Sequence, residues 1–173
     1  VYAAIPGENQ IYFTSLFTDE VALGRSNGGQ GTDGELAFML NNTSGDAASI
    51  WLSNYAAINF ANRLILGAEN VDVEAGTAEE TEKNVILGQA HAIRAFANFQ
   101  LLSYFSENIK DDSSLGIILL DYVPLNTDQS PRSTTGEIFE FIEADLAFAD
   151  ANLGTNFVTN RTFIGQNFVK DFR

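Results

Sequence analysis

The sequence offers few side chains that could carry out catalysis. It has one histidine, His91, and no cysteine, which excludes thiolate metal sites, cysteine nucleophiles and disulfides from this chain. No Asp or Glu stands four residues from His91, so a metal ion would lack a second ligand on the same helix face. We therefore expect a half-buried helix histidine, and we expect no metal or other cofactor.

Charged residues near the predicted helices suggest structural roles. Arg94 lies close to an apolar helical stripe, and a buried guanidinium needs a partner, so the sequence predicts an ion pair with a carboxylate. The acidic pairs Asp19–Glu20 and Asp111–Asp112 could be interpreted as the acid and base of a glycosidase. Adjacent side chains on one helix diverge, however, so we interpret both pairs as solvated surface and predict no enzyme.

A glycine-rich segment matches a nucleotide-binding motif by spacing alone. Gly29, Gly31 and Gly34 have the spacing of the dinucleotide fingerprint. That fingerprint follows a strand and opens a helix, whereas the residues before Gly24 form a predicted helix. The segment is predicted to be a loop.

Composition and charge narrow the class of ligand. The chain has 173 residues, of which 45% are hydrophobic, and these are enough for one helical domain, 1–173. Its formal net charge of −14 would repel nucleic acids and other polyanions, so a neutral ligand is favoured. No apolar run reaches the roughly 18–20 residues that a membrane span needs. Because no basic leader precedes Val1, we expect a mature or shortened chain.

Apolar residues recur at helical spacing in four segments, which predicts an all-α fold. The predicted stripes are Phe13, Phe17 and Val21; Ala47, Trp51, Tyr55, Ile58, Asn62 and Ile65; Ile86, Ala90, Ile93, Ala97, Leu101 and Tyr104; and Ile138, Ile142, Leu146, Ala149 and Leu153. The predicted helices are 8–23, 46–67, 78–106 and 134–153, the last two beginning at the capping-box patterns Thr77–Glu80 and Thr134–Glu137. Residues 24–34 are a predicted loop and 107–132 a predicted extended crossover. The final segment, 162–173, contains Phe163, Phe168 and Phe172 without an obvious partner, so we expect their partners outside this sequence.

Three sequence blocks resemble one known family. The first block is Trp51, Tyr55, Ile58, Ala61-Asn62 and Ile65-Leu66. The second block is Ala90, Arg94-Ala95-Phe96-Ala97, Phe99, Leu101 and Tyr104-Phe105, followed by Gly116 and Pro124-Leu125. The third block is Pro131-Arg132-Ser133-Thr134, Glu137-Ile138, Ile142, Asp145-Leu146, Ala149 and Leu153. In this order they resemble the N-terminal half of the SusD/RagB family. The resemblance implies an all-α fold of tetratricopeptide-like antiparallel helix pairs with long loops, and an N-terminal portion of a larger protein.

The resemblance also implies a biological role. SusD-like proteins are non-catalytic lipoproteins on the extracellular face of the outer membrane, where they capture glycans for import through a partner TonB-dependent SusC-like transporter. The lipidated cysteine of the family is absent from this sequence, so the membrane is expected to be reached only through an anchor outside it. A helical-repeat scaffold that binds peptide or protein is the alternative.

The predicted ligand-binding segment is the loop before the second helix. Sugars offer apolar faces and hydroxyl rims, which aromatic, amide and charged side chains bind. In the family this loop often contributes to the pocket. The predicted ligand-binding residues are Arg25, Asn27, Asp33, Phe38, Asn41 and Asn42.

Overall fold

The computed structural model describes residues 1–5, 7–18, 20, 24–26, 28–29, 34–39, 41, 44–154 and 163–173. In these residues it is all-α, as the sequence predicts, with an isolated bridge between Leu115 and Thr134 as the only β-type pairing. The α-helices are α1 (Glu8–Phe17), α2 (Gly45–Ala68), α3 (Ala78–Phe105), α4 (Thr135–Asn152) and α5 (Gln166–Phe172). Two short 3₁₀ helices occupy Tyr2–Ala4 and Gly34–Ala37.

Helices α2, α3 and α4 form an antiparallel layer that carries the rest of the chain. Trp51 at the start of α2 contacts Phe105 at the end of α3, with ring centroids 5.0 Å apart. In the middle of the layer, Arg94 of α3 hydrogen-bonds to Asn62 of α2 and to Asp145 of α4. These contacts place α3 between its two neighbours, which is the arrangement of tetratricopeptide-like helix pairs.

The two best-defined helices begin where the capping patterns predict. Thr134 accepts a hydrogen bond from the Glu137 amide, and the Glu137 carboxylate accepts one from the Thr134 amide. At α3, Thr77 accepts from the Glu80 amide, but the Glu80 carboxylate accepts from Gly76 instead. Each bond satisfies an N-terminal amide that has no partner within its helix.

The core lies along α3 and takes one face from each neighbour. The predicted stripe of α4 is entirely buried, from Ile138 to Leu153. The predicted stripe of α3 is buried except at its ends, where Ile86 is 44% exposed. In α2 the most buried face is displaced from the predicted one and consists of Ile50, Asn54, Ala57, Ile58, Ala61 and Asn62. Its two alanines, Ala57 and Ala61, are small enough to let α3 approach closely.

Two sequence-based expectations need correction. Helix α1 ends at Phe17 instead of continuing towards residue 23, because Thr18 has extended backbone angles. The C-terminal aromatic residues have partners inside the chain. Phe168 and Phe172 of α5 both contact the Phe96 ring of α3, and Phe163 packs edge-on against Tyr2.

The crossover between α3 and α4 is extended, as predicted, and is held against α2. The Tyr55 hydroxyl donates to the Ile118 carbonyl and accepts from the Ile118 amide, at 2.9 and 3.0 Å. The Asn62 amide group donates to the carbonyls of Leu120 and Tyr122. Burial raises the pKa of Tyr55 to about 12, although the bond from Ile118 and the charge of Arg132 act in the opposite direction.

A helix that spans a membrane must be long and apolar. None of the described helices is both long enough and apolar enough to cross a bilayer.

Candidate ligand-binding site

A buried polar cluster occupies the centre of the helix layer. It consists of Asn62, His91, Arg94 and Asp145. The Arg94 guanidinium binds Asp145 through two parallel bonds, Nε to Oδ2 at 2.8 Å and Nη2 to Oδ1 at 2.7 Å. Its Nη1 donates to Asn62 Oδ1 at 2.7 Å, and its Cζ lies 4.7 Å from the centre of the Phe141 ring. The predicted ion pair of Arg94 is therefore confirmed.

His91 belongs to the same cluster. Its side chain is 15% exposed, which confirms the half-buried position that the sequence predicts. Its Nδ1 lies 2.6 Å from Asp145 Oδ1, and its ring stacks on Phe148 at 4.2 Å. Because an ionised carboxylate only accepts hydrogen bonds, we assign the hydrogen to Nδ1.

The chemistry of the buried polar cluster is structural. The Arg94 and Asp145 side chains are 7% and 4% exposed, so a ligand has no access to the charged atoms. The described residues contain no group of three or more His, Asp or Glu that could hold a metal ion. The cluster fixes the register of α2, α3 and α4 relative to one another.

The predicted ligand-binding segment is described at three of its six candidate residues. Arg25 lies exposed in a turn and Asn41 lies exposed before α2. Phe38 is 63% exposed and has a φ of 56°, a left-handed conformation that a bulky side chain seldom adopts. Asn27, Asp33 and Asn42 lie outside the described residues.

Phe38 is the exposed end of a continuous series of aromatic contacts. Its ring meets Phe17 edge-on, with centroids 5.9 Å apart, and Phe17 stacks on Phe13 at 4.8 Å. Phe13 then contacts Tyr104 of α3 at 6.0 Å. From there the series continues inward through Phe105, Trp51 and Tyr55. Three helices, α1, α2 and α3, and the turn at Phe38 thus meet through ring contacts, and the series connects the predicted ligand-binding segment with the core.

A cleft of about 350 Å³ opens beside these rings, and we call it the aromatic cleft. Four aromatic residues line it: Phe13, Phe17, Tyr104 and Phe105. Four residues that carry hydroxyl groups also line it: Thr14, Thr18, Ser103 and Tyr104. The remaining lining residues are Ala47 and Ile50, so this lining contains no Asp, Glu or His.

The hydroxyl groups of the aromatic cleft are held by local bonds. Thr14 Oγ1 lies 2.6 Å from the Tyr104 hydroxyl and donates to the Gln10 carbonyl. Ser103 donates to the Phe99 carbonyl one turn earlier in α3. Each oxygen keeps acceptor capacity for a ligand hydroxyl. Aromatic faces with fixed hydroxyls beside them are suited to a ring that has apolar faces and polar edges.

A larger cleft of about 710 Å³ lies on the other side of α1. It is bounded by residues 1–5, the start of α1, and the α2 side chains Ser49, Ser53 and Phe60. It has a single aromatic lining residue, Phe60. It offers more room than the aromatic cleft but fewer faces on which a ring could stack.

Sequence reasoning did not find the aromatic cleft. It assigned Phe13 and Phe17 to one helical stripe and Tyr104 to another, and both stripes were interpreted as core. A signal was present in the concentration of large aromatic residues at facing helix ends, among 14 Phe in the chain. The cleft still required knowledge of how α1 lies across α3.

No protein-family model and no curated relative matches this chain. Solved structures do match it. A SusD superfamily protein from Bacteroides thetaiotaomicron has a TM-score of 0.64 and 23% identity over 72% of this chain. A SusD-like carbohydrate-binding protein from Bacteroides fragilis has a TM-score of 0.66 and 16% identity over 93% of this chain. A third structure, solved with xylogluco-oligosaccharide, has a TM-score of 0.61 and 18% identity over 84%.

The matches cover most of this chain but a minor part of the other proteins. The chain spans 27%, 34% and 26% of their respective lengths. The similarity therefore concerns about a quarter to a third of each of these proteins and not their whole architecture. Within that limit, this chain has the all-α fold of the SusD superfamily.

Proposed function

We propose that this chain is part of a non-catalytic cell-surface protein that captures a neutral glycan. The observation that carries the proposal is the aromatic cleft, whose rings and hydroxyls match the apolar faces and polar edges of a sugar. The similar structure from Bacteroides fragilis is that of a SusD-like carbohydrate-binding protein. Another similar structure was solved with xylogluco-oligosaccharide. They support the same ligand class.

The proposed ligand contacts lie at the outer end of the aromatic cleft. Phe38 extends the line of rings beyond Phe17, where a second sugar ring could stack. Arg25 and Asn41, which are both exposed, would bind hydroxyl groups. We keep Asn27, Asp33 and Asn42 as candidates on the sequence argument.

A neutral ligand is favoured by the charge of the chain. With a formal net charge of −14, the surface attracts cations and repels uronates and sulfated polymers. Among the described residues that line the aromatic cleft, none is basic, and Arg25 is the one basic residue among the proposed ligand contacts. Neutral glucans and mannans are the ligands to test first.

The rest of the proposal concerns the whole protein. In it, a lipid anchor outside this chain holds the protein on the extracellular face of the outer membrane, and the captured glycan passes to a partner TonB-dependent SusC-like transporter. The transporter partner is tested by co-purification of the full-length protein with an outer-membrane barrel. The extracellular position is tested by adding protease to intact cells, which should cleave the protein. A full-length protein that resists protease on intact cells and purifies alone would contradict them.

The glycan-binding test compares this chain with the full-length protein on affinity gels of neutral α- and β-glucans, mannans and anionic polymers. Phe38→Ala should weaken binding to a neutral glycan by about two- to tenfold, because loss of one ring contact costs about 0.5–1.5 kcal/mol. Tyr104→Phe should weaken it through loss of a hydroxyl. Phe60→Ala, which removes an exposed ring outside the aromatic cleft, is the matched control.

Two results would contradict the proposal. Equal binding by Phe38→Ala, Tyr104→Phe and Phe60→Ala in the full-length protein would exclude the aromatic cleft and its outer end as the site. Retention of no glycan by either protein would exclude the ligand class, and a helical scaffold that binds peptide would then be the better interpretation.

A further inference from the structure

The turn between α2 and α3 carries a groove that the proposed function does not use. Six aliphatic residues form its floor: Leu64, Ala68, Val71, Val73, Ile86 and Leu87. The groove has a volume of about 450 Å³ and remains open in the described structure. Val71 and Ile86 are 51% and 44% exposed, although each lies beside other apolar side chains. We call this surface the turn groove.

The rim of the turn groove is acidic. Glu79, Glu82 and Lys83 border it directly, so acids outnumber bases two to one in the lining. Residues 64–87 contain six acidic side chains and one basic one, Lys83. Lys83 donates to the Val71 carbonyl at 2.7 Å, so it fastens the turn to α3. None of the ion pairs among the described residues involves the six acids.

The chemistry of the turn groove excludes several classes of ligand. Its lining contains no aromatic residue, so a sugar would find no ring face for stacking. The lining carboxylates of Glu79 and Glu82, with four further acids in residues 64–87, would repel nucleic acids and anionic lipid surfaces. The floor requires apolar groups, and the rim requires positive charge. A polypeptide segment with aliphatic side chains between Lys or Arg residues supplies both.

We propose that the turn groove is a docking site for a basic amphipathic segment of a partner protein. Aliphatic side chains of the segment lie on Val71, Ile86 and Leu87, and its Lys or Arg residues face Glu79 and Glu82. Apolar contact supplies the affinity, while charge complementarity selects the partner and speeds its association. The proposal is independent of glycan capture, which concerns residues around α1.

The test uses three fluorescein-labelled peptides of equal length with this chain, measured by fluorescence anisotropy. One peptide combines Leu with Lys at helical spacing, the second replaces Lys by Glu, and the third replaces Leu by Ser. The Leu/Lys peptide should bind at least about tenfold more tightly than either of the others, a difference of about 1.4 kcal/mol. Its affinity should fall as salt is added, since exposed charges are screened.

Paired variants separate the turn groove from the general acidity of the chain. The double variants Val71→Ser/Ile86→Ser and Glu79→Gln/Glu82→Gln should each weaken the Leu/Lys peptide at least about fivefold, about 1 kcal/mol. Leu125→Ser is the apolar control, because Leu125 is 70% exposed elsewhere. Asp121→Asn/Glu140→Gln is the charge control, at two exposed acids outside the groove.

A second measurement locates the bound peptide. Amide NMR shifts should change chiefly in residues 64–87 when the Leu/Lys peptide is added. Equal weakening by the groove and control variants would overturn the proposal, because it would mean non-specific attraction to an acidic protein. Shift changes centred on α4 or α5 would overturn it as well.

Discussion

At the residue scale, the most consequential contact is the bidentate pair between Arg94 and Asp145. Removing two charges from water is costly, and such a pair is tolerated only where every donor has a partner. Here Asn62, His91 and the face of Phe141 supply the remaining contacts. The pair joins α3 to α4 and, through Asn62, to α2. It specifies the register of the layer more than it adds to net stability.

Asp145→Asn should destabilise the fold severely. The Arg94 guanidinium would remain buried without a counter-charge, which costs about 3–5 kcal/mol. Urea unfolding followed by circular dichroism measures the loss. Glu143→Gln is the matched control, because its pair with Arg173 is about half-exposed at 48% and 49% and is worth less than about 1 kcal/mol. Equal losses for the two variants would contradict the assignment.

The sequence anticipated one half of this contact. Arg94 stands next to an apolar stripe, which requires a partner for its charge. The identity of that partner was not readable, because Asp145 lies 51 residues away on another helix. Nothing in the spacing of α4 distinguishes a carboxylate that faces the core from one that faces water. That distinction came from the rotation of α4 against α3.

At the element scale, the extended crossover depends on α2. A segment without regular secondary structure cannot satisfy its own amides and carbonyls, and buried ones must find partners. Tyr55 and Asn62 provide them at Ile118, Leu120 and Tyr122. Gly116 adds a close approach, because a Cβ there would overlap the Ile138 side chain and lie 3.0 Å from Leu102. The middle of the crossover, at Gly116 and Ile117, is thus buried in the core.

Stability should fall as the pH rises from about 10 to about 12. Tyr55 has an ordinary pKa of 10.0 that burial raises to about 12. Between these two pKa values the Tyr55 phenol is deprotonated in the unfolded state and protonated in the folded state. The free energy of unfolding therefore keeps its full value below the unfolded-state pKa of 10.0 and decreases as the pH rises above it. The loss attributable to Tyr55 is up to about 2 kcal/mol. Urea midpoints measured across this range detect it.

Tyr55→Phe is the matched variant for this pH effect. At neutral pH it should be about 1–3 kcal/mol less stable, because the amide and carbonyl of Ile118 lose their partner. Above pH 10 its stability should decline less steeply than that of the unmodified chain. Tyr2, whose pKa burial also raises, is unchanged in both proteins and cancels in the comparison. Parallel declines would contradict the role of Tyr55.

At the scale of the whole molecule, the dominant property is the excess of acidic side chains. The formal net charge of −14 is spread over 23 acids and 9 bases. Only two exposed ion pairs occur among the described residues, Arg132 with Glu107 and Arg173 with Glu143. Most acids therefore repel one another without local compensation, which opposes the compact state.

Added salt should stabilise this protein. From about 0.01 M to about 0.1 M NaCl the Debye length falls from about 30 Å to about 10 Å, which screens repulsion between exposed acids. The thermal midpoint should rise over this range. The variant Glu69→Gln/Glu74→Gln/Glu79→Gln should have a higher midpoint at low salt and a smaller response to salt. A midpoint that is constant or falls would contradict the role of self-repulsion.

The sequence by itself determined the all-α class, the starts of α3 and α4, the buried stripe of α4, and the acidic net charge. These features depend on near neighbours in the chain, since periodicity and capping act over three or four residues. It did not determine that α1 ends at Phe17 or that α5 packs on Phe96. It did not reveal the aromatic cleft, whose Thr14 and Tyr104 lie 90 residues apart.

Hydrophobic attraction is non-directional, so apolar spacing identifies the face that is buried. Only the tertiary structure decided which other face covers it.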